Sequence, residues 1–256
     1  MPQAYTCFMP LTRNVIMSNP TAAMLVIGDE ILSGRTRDAN MHYLAGELTK
    51  HGITLSEVRI VADNEDKIVE AVRQLSVSYQ CVFTSGGIGP THDDITSDCV
   101  AKAFGRKIDV RDDARELLQK HYDAAGKEFN HARQRMARIP NGASLIDNPV
   151  SVAPGFILEN VYVMAGVPSV FQAMVASVLP TLTGGEPLLS QTLRVDLGEG
   201  EIAGPLAELA QKFSDLSFGS YPFQDNGAYG ANVVVRGTDG SRIDAAMADL
   251  VGTFAC

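Results

Sequence analysis

The chain has 256 residues, of which 45% are hydrophobic and 20% charged, and a formal net charge of −9. These values describe an ordinary globular chain, long enough for one large domain or for a main domain with a smaller one. The acidic balance excludes a nucleic-acid partner, since no basic stripe is available to neutralise phosphates, and no apolar run approaches the ~20 residues that cross a bilayer.

Residues 1–20 lack both the apolar run of a signal peptide and the alternation of a strand. They are expected to form a peripheral segment, with Met17 as an alternative start. Ala22 to Ile27 is a continuous apolar run, which predicts a strand covered on both faces. A loop over 28–37 follows. Asp38 then caps a helix whose Met41, Leu44, Ala45 and Leu48 recur at helical spacing and which ends at Gly52. Thr54 to Val61 alternates as a strand. Asp63-Asn64-Glu65-Asp66 opens a helix with Ile68, Val69, Val72 and Leu75 on one face.

Tyr79 to Thr84 reads as a third buried strand, followed by Ser85-Gly86-Gly87-Ile88-Gly89-Pro90-Thr91-His92-Asp93-Asp94-Ile95-Thr96. The glycines let the backbone turn with positive φ and approach a ligand. Asp93, Thr96 and Ser97 offer N-cap chemistry for the next helix. Exposed amides at a helix start suit an anion, and carboxylates beside them call for a bridging divalent cation. A phosphate or pyrophosphate site follows from the combination, although Gly-Gly turns and capping aspartates also occur without function.

Residues 111–136 read as charged and helical, Ile139 to Ala143 as a break, and Phe156–Leu158 with Val161–Met164 as a hairpin. Ala165 to Ser169 starts a further helix, and Thr183 to Pro187 is the linker. Strands over 193–197, 217–221 and 232–236 and helices over 201–213 and 242–254 complete a small β-α-β-β-α unit. The β-α-β-α-β order of the first part implies a parallel sheet with helices on both faces. Loops 28–38, 63–66 and 85–97 leave the carboxyl ends of its strands, where ligands of such sheets sit. The four cysteines, Cys7, Cys81, Cys99 and Cys256, are scattered with no C-x-x-C pair. Reduced structural thiols and a cytoplasmic location are expected from them.

Three blocks in this order resemble a known family. They are Gly28-Asp29-Glu30-Ile31-Leu32-Ser33-Gly34 with Asp38 and Asn40, the Ser85–Thr96 segment, and Ala153-Pro154-Gly155-Phe156 with Gly166-Val167-Pro168. Together they are similar to the N-terminal region of the competence/damage-inducible protein A (CinA) family, within the molybdopterin-binding MoaB/Mog superfamily. That superfamily also supplies the N-terminal domain of eukaryotic FAD synthase. The resemblance covers roughly residues 22–182.

It implies an α/β fold of the three-layer molybdopterin-binding type, with a mostly parallel sheet over 21–183 and a small C-terminal α+β accessory domain over 187–256. It also implies self-association into a homo-oligomer. In the Mog branch the turn reads Gly-Gly-Thr-Gly with a downstream Arg-Asp-x-Thr. Here Ile88 replaces the threonine, and His92 or Asp93 stands at the arginine. Asp94 matches the motif's aspartate, and Asp63 a second one. These departures favour the CinA pattern, associated with metal-dependent hydrolysis of ADP-ribose, over adenylyl transfer to molybdopterin.

The expected catalytic residues are therefore Asp94, Asp63 and His92, the last as the side chain that titrates near neutral pH. Asp29, Glu30 and Asp94 are the expected ligands of Mg²⁺, Mn²⁺ or Co²⁺. Gly86, Gly87, Gly89, Thr91, Thr96, Asn40, Gly155, Gly166 and Pro168 are the expected substrate-binding residues for a nucleotide or pterin. Gly87 is expected to exclude any side chain because its amide approaches a phosphate. The alternatives are a molybdopterin-binding protein of cofactor synthesis and a non-catalytic nucleotide-binding domain.

Overall fold

The computed structural model describes residues 19–225 and 227–254; the expected peripheral segment over 1–18, Cys7 and Cys256 lie outside them. Chain order begins β1 (Thr21–Ile27), α1 (Asp29–Leu32), α2 (Asn40–Lys50), β2 (Thr54–Val61), α3 (Glu65–Ser78), β3 (Cys81–Ser85) and α4 (Thr96–Ala103). Then come β4 (Ile108–Val110), α5 (Asp112–Ala124), α6 (His131–Gln134), β5 (Arg138–Pro140), β6 (Ser144–Ile146), β7 (Gly155–Leu158), β8 (Val161–Met164) and α7 (Pro168–Val178). The remainder is β9 (Leu189–Val195), α8 (Glu199–Lys212), β10 (Ser217–Asp225), β11 (Ala228–Gly237) and α9 (Gly240–Phe254).

The main sheet has the order β2-β1-β3-β8-β7-β6. Its first four strands are parallel, β7 runs antiparallel to β8, and β6 runs antiparallel to β7. The apolar run of β1 explains why this sheet is central. Ala23, Leu25 and Ile27 point to one face, where Ile68, Val72 and Leu75 of α3 and Val100 of α4 cover them. Ala22, Met24 and Val26 point to the other, under Leu44 and Leu48 of α2 and Phe171 and Met174 of α7. Each such Leu, Ile, Val, Met or Phe side chain stabilises the fold by about 1.5–3 kcal/mol on full burial, and two helix layers are needed to bury both sets. This is a three-layer α/β arrangement with a mostly parallel sheet.

The C-terminal elements have a core of their own. Sheet β10-β11-β9 carries α8 and α9 on one face, around Val195, Ile202, Leu209, Val233, Val235, Ile243 and Leu250. Among the described residues no helix is long and apolar enough to cross a membrane.

Several elements differ from expectation. The loop over 28–37 contains the single turn α1. The stretch 111–136 splits into α5, α6 and a 3-10 turn at Arg135–Ala137, with Gly126 at positive φ closing the first piece. The break over 139–143 is flanked by strands: β5 pairs antiparallel with β4, and β6 extends the main sheet. The beginning of β1 and the linker are joined, since the Asn19 amide donates to Glu186 O (2.8 Å) and accepts from Glu186 N–H (3.0 Å). Gly185 N–H also donates to Gly52 O (3.1 Å).

Candidate functional site

A cleft of about 560 Å³ opens beyond the carboxyl ends of β1, β2 and β3. Gly28, Glu30 and Thr36 line it from the first loop, Asp63 from the second, and Gly86 to Gly89 with Asp93 and Asp94 from the third. The opposite wall is Asn148, Ser151 and Ala153, with Gly166, Val167 and Pro168 ahead of α7. The three loops expected to converge do so. Among the residues lining the cleft four are acids and none is Lys, Arg or His.

The turn after β3 is shaped by its glycines. Gly86 (φ 109°) leaves no room for a side chain, because a Cβ would run into Ile27 O. Its N–H donates to Met164 O (3.2 Å), tying the turn to the end of β8. Thr96 locks the turn from below: its hydroxyl donates to Gly86 O (2.9 Å) and its N–H to Gly87 O (2.9 Å). The N–H groups of Gly87, Ile88 and Gly89 donate to no group among the described residues, so three consecutive amides stay free at the cleft.

This geometry corrects two expectations. Thr96 is completely buried and acts on the turn, not on a ligand, and α4 has no side-chain cap. Gly87 (φ 69°) does exclude side chains, but because a Cβ would strike Thr96 Oγ1. The fold beneath the turn is by itself enough to impose this constraint.

Asp94 closes the next bend. Its Oδ2 accepts from Thr91 N–H (2.7 Å) and from the Thr91 hydroxyl, and Gly89 passes so close that a Cβ would stand 2.6 Å from that oxygen. Arg135 reaches in from the 3-10 turn and donates to Asp94 O (3.1 Å). Thr91 is thus engaged within the loop. The His92 side chain is 99% exposed, 3.8 Å from the Asp93 carboxylate, and does not line the cleft.

Asp63 is half-buried and accepts from Asp29 N–H (3.0 Å), bracing the ends of β1 and β2. Burial pushes its carboxyl pKa up; the Asp29 hydrogen bond opposes this, and the charges of Asp29, Glu30 and Asp93 add to it. Within the stretch that opens α3, the cap is Asn64, which accepts from Lys67 N–H (3.2 Å). Asp29, Glu30 and Asp94 do not form a ready metal centre. Asp29 does not line the cleft, Asp94 Oδ2 is held by Thr91, and no cluster of three metal-binding side chains occurs among the described residues.

Asn40 and Gly155 also take other places than a ligand wall. Asn40 is 3% exposed and donates through Nδ2 to Ser85 Oγ (2.7 Å) and Gly166 O (2.8 Å). It therefore clamps two cleft loops together from beneath. Gly155 is buried in β7, where a Cβ would meet Val163 O. Gly166 packs on the turn, its missing Cβ 3.2 Å from the Gly86 Cα. Sequence reasoning missed Thr36, Met136, Asn148 and Ser151, all of which line the cleft. Only the turn-forming Asn148-Pro149 pair could have signalled part of that wall.

An α/β protein with an acid-lined, amide-bearing cleft at the carboxyl edge of its parallel strands is the class that fold and site define. Residues 23–184 match the family described as "Probable molybdopterin binding domain", and the chain belongs to that family. Residues 187–255 match the model described as "FAD synthase, middle domain". The chain is 32% identical over 219 residues to Protein PH0439 of Pyrococcus horikoshii, covering 78% of this chain and 86% of that one. It is 30% identical over 255 residues to "Probable FAD synthase" of Caenorhabditis elegans, covering 90% of this chain and 49% of that longer one. The crystal structure of CinA from Thermoplasma acidophilum, described as of unknown function, superposes with a TM-score of 0.59 at 32% identity. The match covers 63% of this chain and 97% of that one. The CinA-like resemblance read from the three sequence blocks is thereby borne out.

Proposed function

We propose that the cleft binds the pyrophosphate of an ADP-ribose-like or flavin dinucleotide and hydrolyses its phosphoanhydride. The observation that carries this reading is the pairing of three free amides, on Gly87, Ile88 and Gly89, with four carboxylates and no basic side chain in one cavity. Amides favour phosphate oxygens and stabilise charge that develops on them. Carboxylates repel them, so the ligand must bring a cation. A divalent ion of the Mg²⁺ kind fits such a site, because it is held by one or two carboxylates plus substrate phosphates and needs no cage of protein ligands. Glu30, Asp63, Asp93 and Asp94 are the side chains available to hold it. When bound, such an ion offsets phosphate charge and lowers the pKa of its water. Of those side chains, Asp94 would accept the one proton that the attacking water loses, and Asp63 would help to hold the ion. The match to the FAD synthase middle domain supports a nucleotide substrate.

The test is incubation of the full chain with ADP-ribose or FAD and Mg²⁺, Mn²⁺ or Co²⁺, with products separated chromatographically. AMP with ribose 5-phosphate, or AMP with FMN, is the expected outcome, and chelation should abolish it. A second reading, molybdopterin binding without hydrolysis, is favoured by the description of the matched family. Tight pterin binding with no turnover of either dinucleotide would establish it over the first.

A further inference from the structure

The wall opposite the glycine turn is built around one buried side chain that the sequence did not single out. Asn148 is 3% exposed and every polar atom of its amide is used. Its Nδ2 donates to Ser151 Oγ (2.6 Å) and Ala153 O (2.8 Å), and its Oδ1 accepts from Val150 N–H (3.1 Å) and Ser151 N–H (3.2 Å). Its carbonyl accepts from Val152 N–H (3.0 Å). Held this way, Val152 sits at φ 65°. A β-branched residue in the left-handed region is a genuine outlier and persists only where surroundings over-determine it. Val152 belongs to none of the hydrophobic cores, so packing does not account for its conformation.

The consequence lies at Ser151, which is exposed and lines the cleft. Its oxygen already accepts from the Asn148 amide. A serine hydroxyl has one proton to give, and with the Asn148 bond made from the other side that proton remains for a partner in the cavity. We propose that the 148–153 loop is a pre-set second wall of the phosphate site, and that the Ser151 hydroxyl donates to a ligand phosphate oxygen facing the amides of Gly87 to Gly89. This rests on the reading of the cleft as a pyrophosphate site. Asn148 is then a positioning residue that holds the donor, and the strain at Val152 is what fixing the loop costs.

Calorimetric titration tests it with the ADP-ribose analogue whose bridging oxygen is replaced by methylene, in the presence of Mg²⁺, alongside thermal melts. Ser151→Ala should weaken binding about 10- to 100-fold, the loss of one hydrogen bond to a charged group, and lower the melting temperature by a few degrees, because one Asn148 Nδ2 proton loses its acceptor. Val152→Asn, a residue that tolerates the left-handed region, should raise the melting temperature. Asn148→Ala should lower both the melting temperature and the affinity. Wild-type affinity in a folded Ser151→Ala variant would overturn the assignment while leaving the pyrophosphate reading intact. An unchanged or lower melting temperature in Val152→Asn would overturn the strained-wall argument. Absence of analogue binding by the wild-type chain would sink the pyrophosphate reading and this donor with it.

Discussion

Asn40→Ala isolates the contact on which the cleft geometry depends. The side chain donates to Ser85 Oγ at 2.7 Å and Gly166 O at 2.8 Å, in a site where Asn40 and Ser85 are each 3% exposed. Truncation strips both donors at once. A buried acceptor left without its partner costs about 1–3 kcal/mol. Rotation of the Ser85 hydroxyl relieves part of the loss on its side. Water can take the carbonyl of the exposed Gly166, and truncation also removes Asn40 Oδ1, which is buried without a partner. The sum expected is therefore about 1–3 kcal/mol, against the roughly 5–15 kcal/mol that holds a domain folded. In a domain of this size each kcal/mol moves the melting temperature by about 2–4 °C, so a drop of roughly 2–12 °C should follow. Urea unfolding followed by circular dichroism, with scanning calorimetry, measures it. Asn40→Asp is the sharper variant, because a carboxylate cannot donate to the Gly166 carbonyl unless it carries a proton; it should be less stable at pH 8 than at pH 5. A loss below about 0.5 kcal/mol for Asn40→Ala would refute the clamp and leave the loops held by Gly86 and Thr96 alone.

Other expectations follow from the carboxylates. Asp94→Asn keeps an acceptor for Thr91 while removing the charge, so turnover of ADP-ribose should fall at least a hundredfold with the melt nearly unchanged; a rate close to wild type would reduce Asp94 to a loop latch. Asp63→Asn removes one of four clustered negative charges and retains an acceptor for Asp29 N–H. It should raise the melting temperature at pH 7 and lower activity, whereas a lower melting temperature would show that the charge itself braces the strands. In the C-terminal unit, Arg242 holds the Asp215 carboxyl down at about 2 from its ordinary 3.8. A depressed folded pKa stabilises above the unfolded value and is lost as pH falls through the folded one. The stability of wild type should therefore decline between pH 4 and 2 more steeply than that of Asp215→Asn, by an amount that added salt reduces; parallel curves would show that the exposed pair is not coupled to folding.

The sequence exposes this fold most clearly where one residue type serves one purpose. The apolar run of β1 could only be a strand covered twice, and its alternate residues do enter the α3–α4 and α2–α7 cores. Gly86-Gly87-Ile88-Gly89 was legible as a turn for the same reason, since no other residue fits beside Ile27 O. Three-residue strands such as β4 and β5 carry no periodicity to detect, and only their mutual pairing defines them. Thr96 was read as a cap because a threonine that caps a helix and one that locks the preceding turn are identical in sequence. Which hydrogen bond it makes is decided by where β8 and the turn bring Gly86 O.

The catalytic reading separates along the same line. Residue chemistry identified the acids around the cleft, but whether a carboxylate faces the ligand or the protein is a tertiary fact. Asp63 braces Asp29 and Asp94 holds Thr91, so each carboxylate that could serve chemistry also serves the loop that presents it. Nothing in the word valine announces a left-handed backbone at Val152; the amide of Asn148 imposes it from within the loop. Charge-preserving and charge-removing substitutions at the same position, rather than truncations, are for that reason what divides support from catalysis here. Alanine at Asp94 would release the loop and remove the acid together, while asparagine removes only the acid.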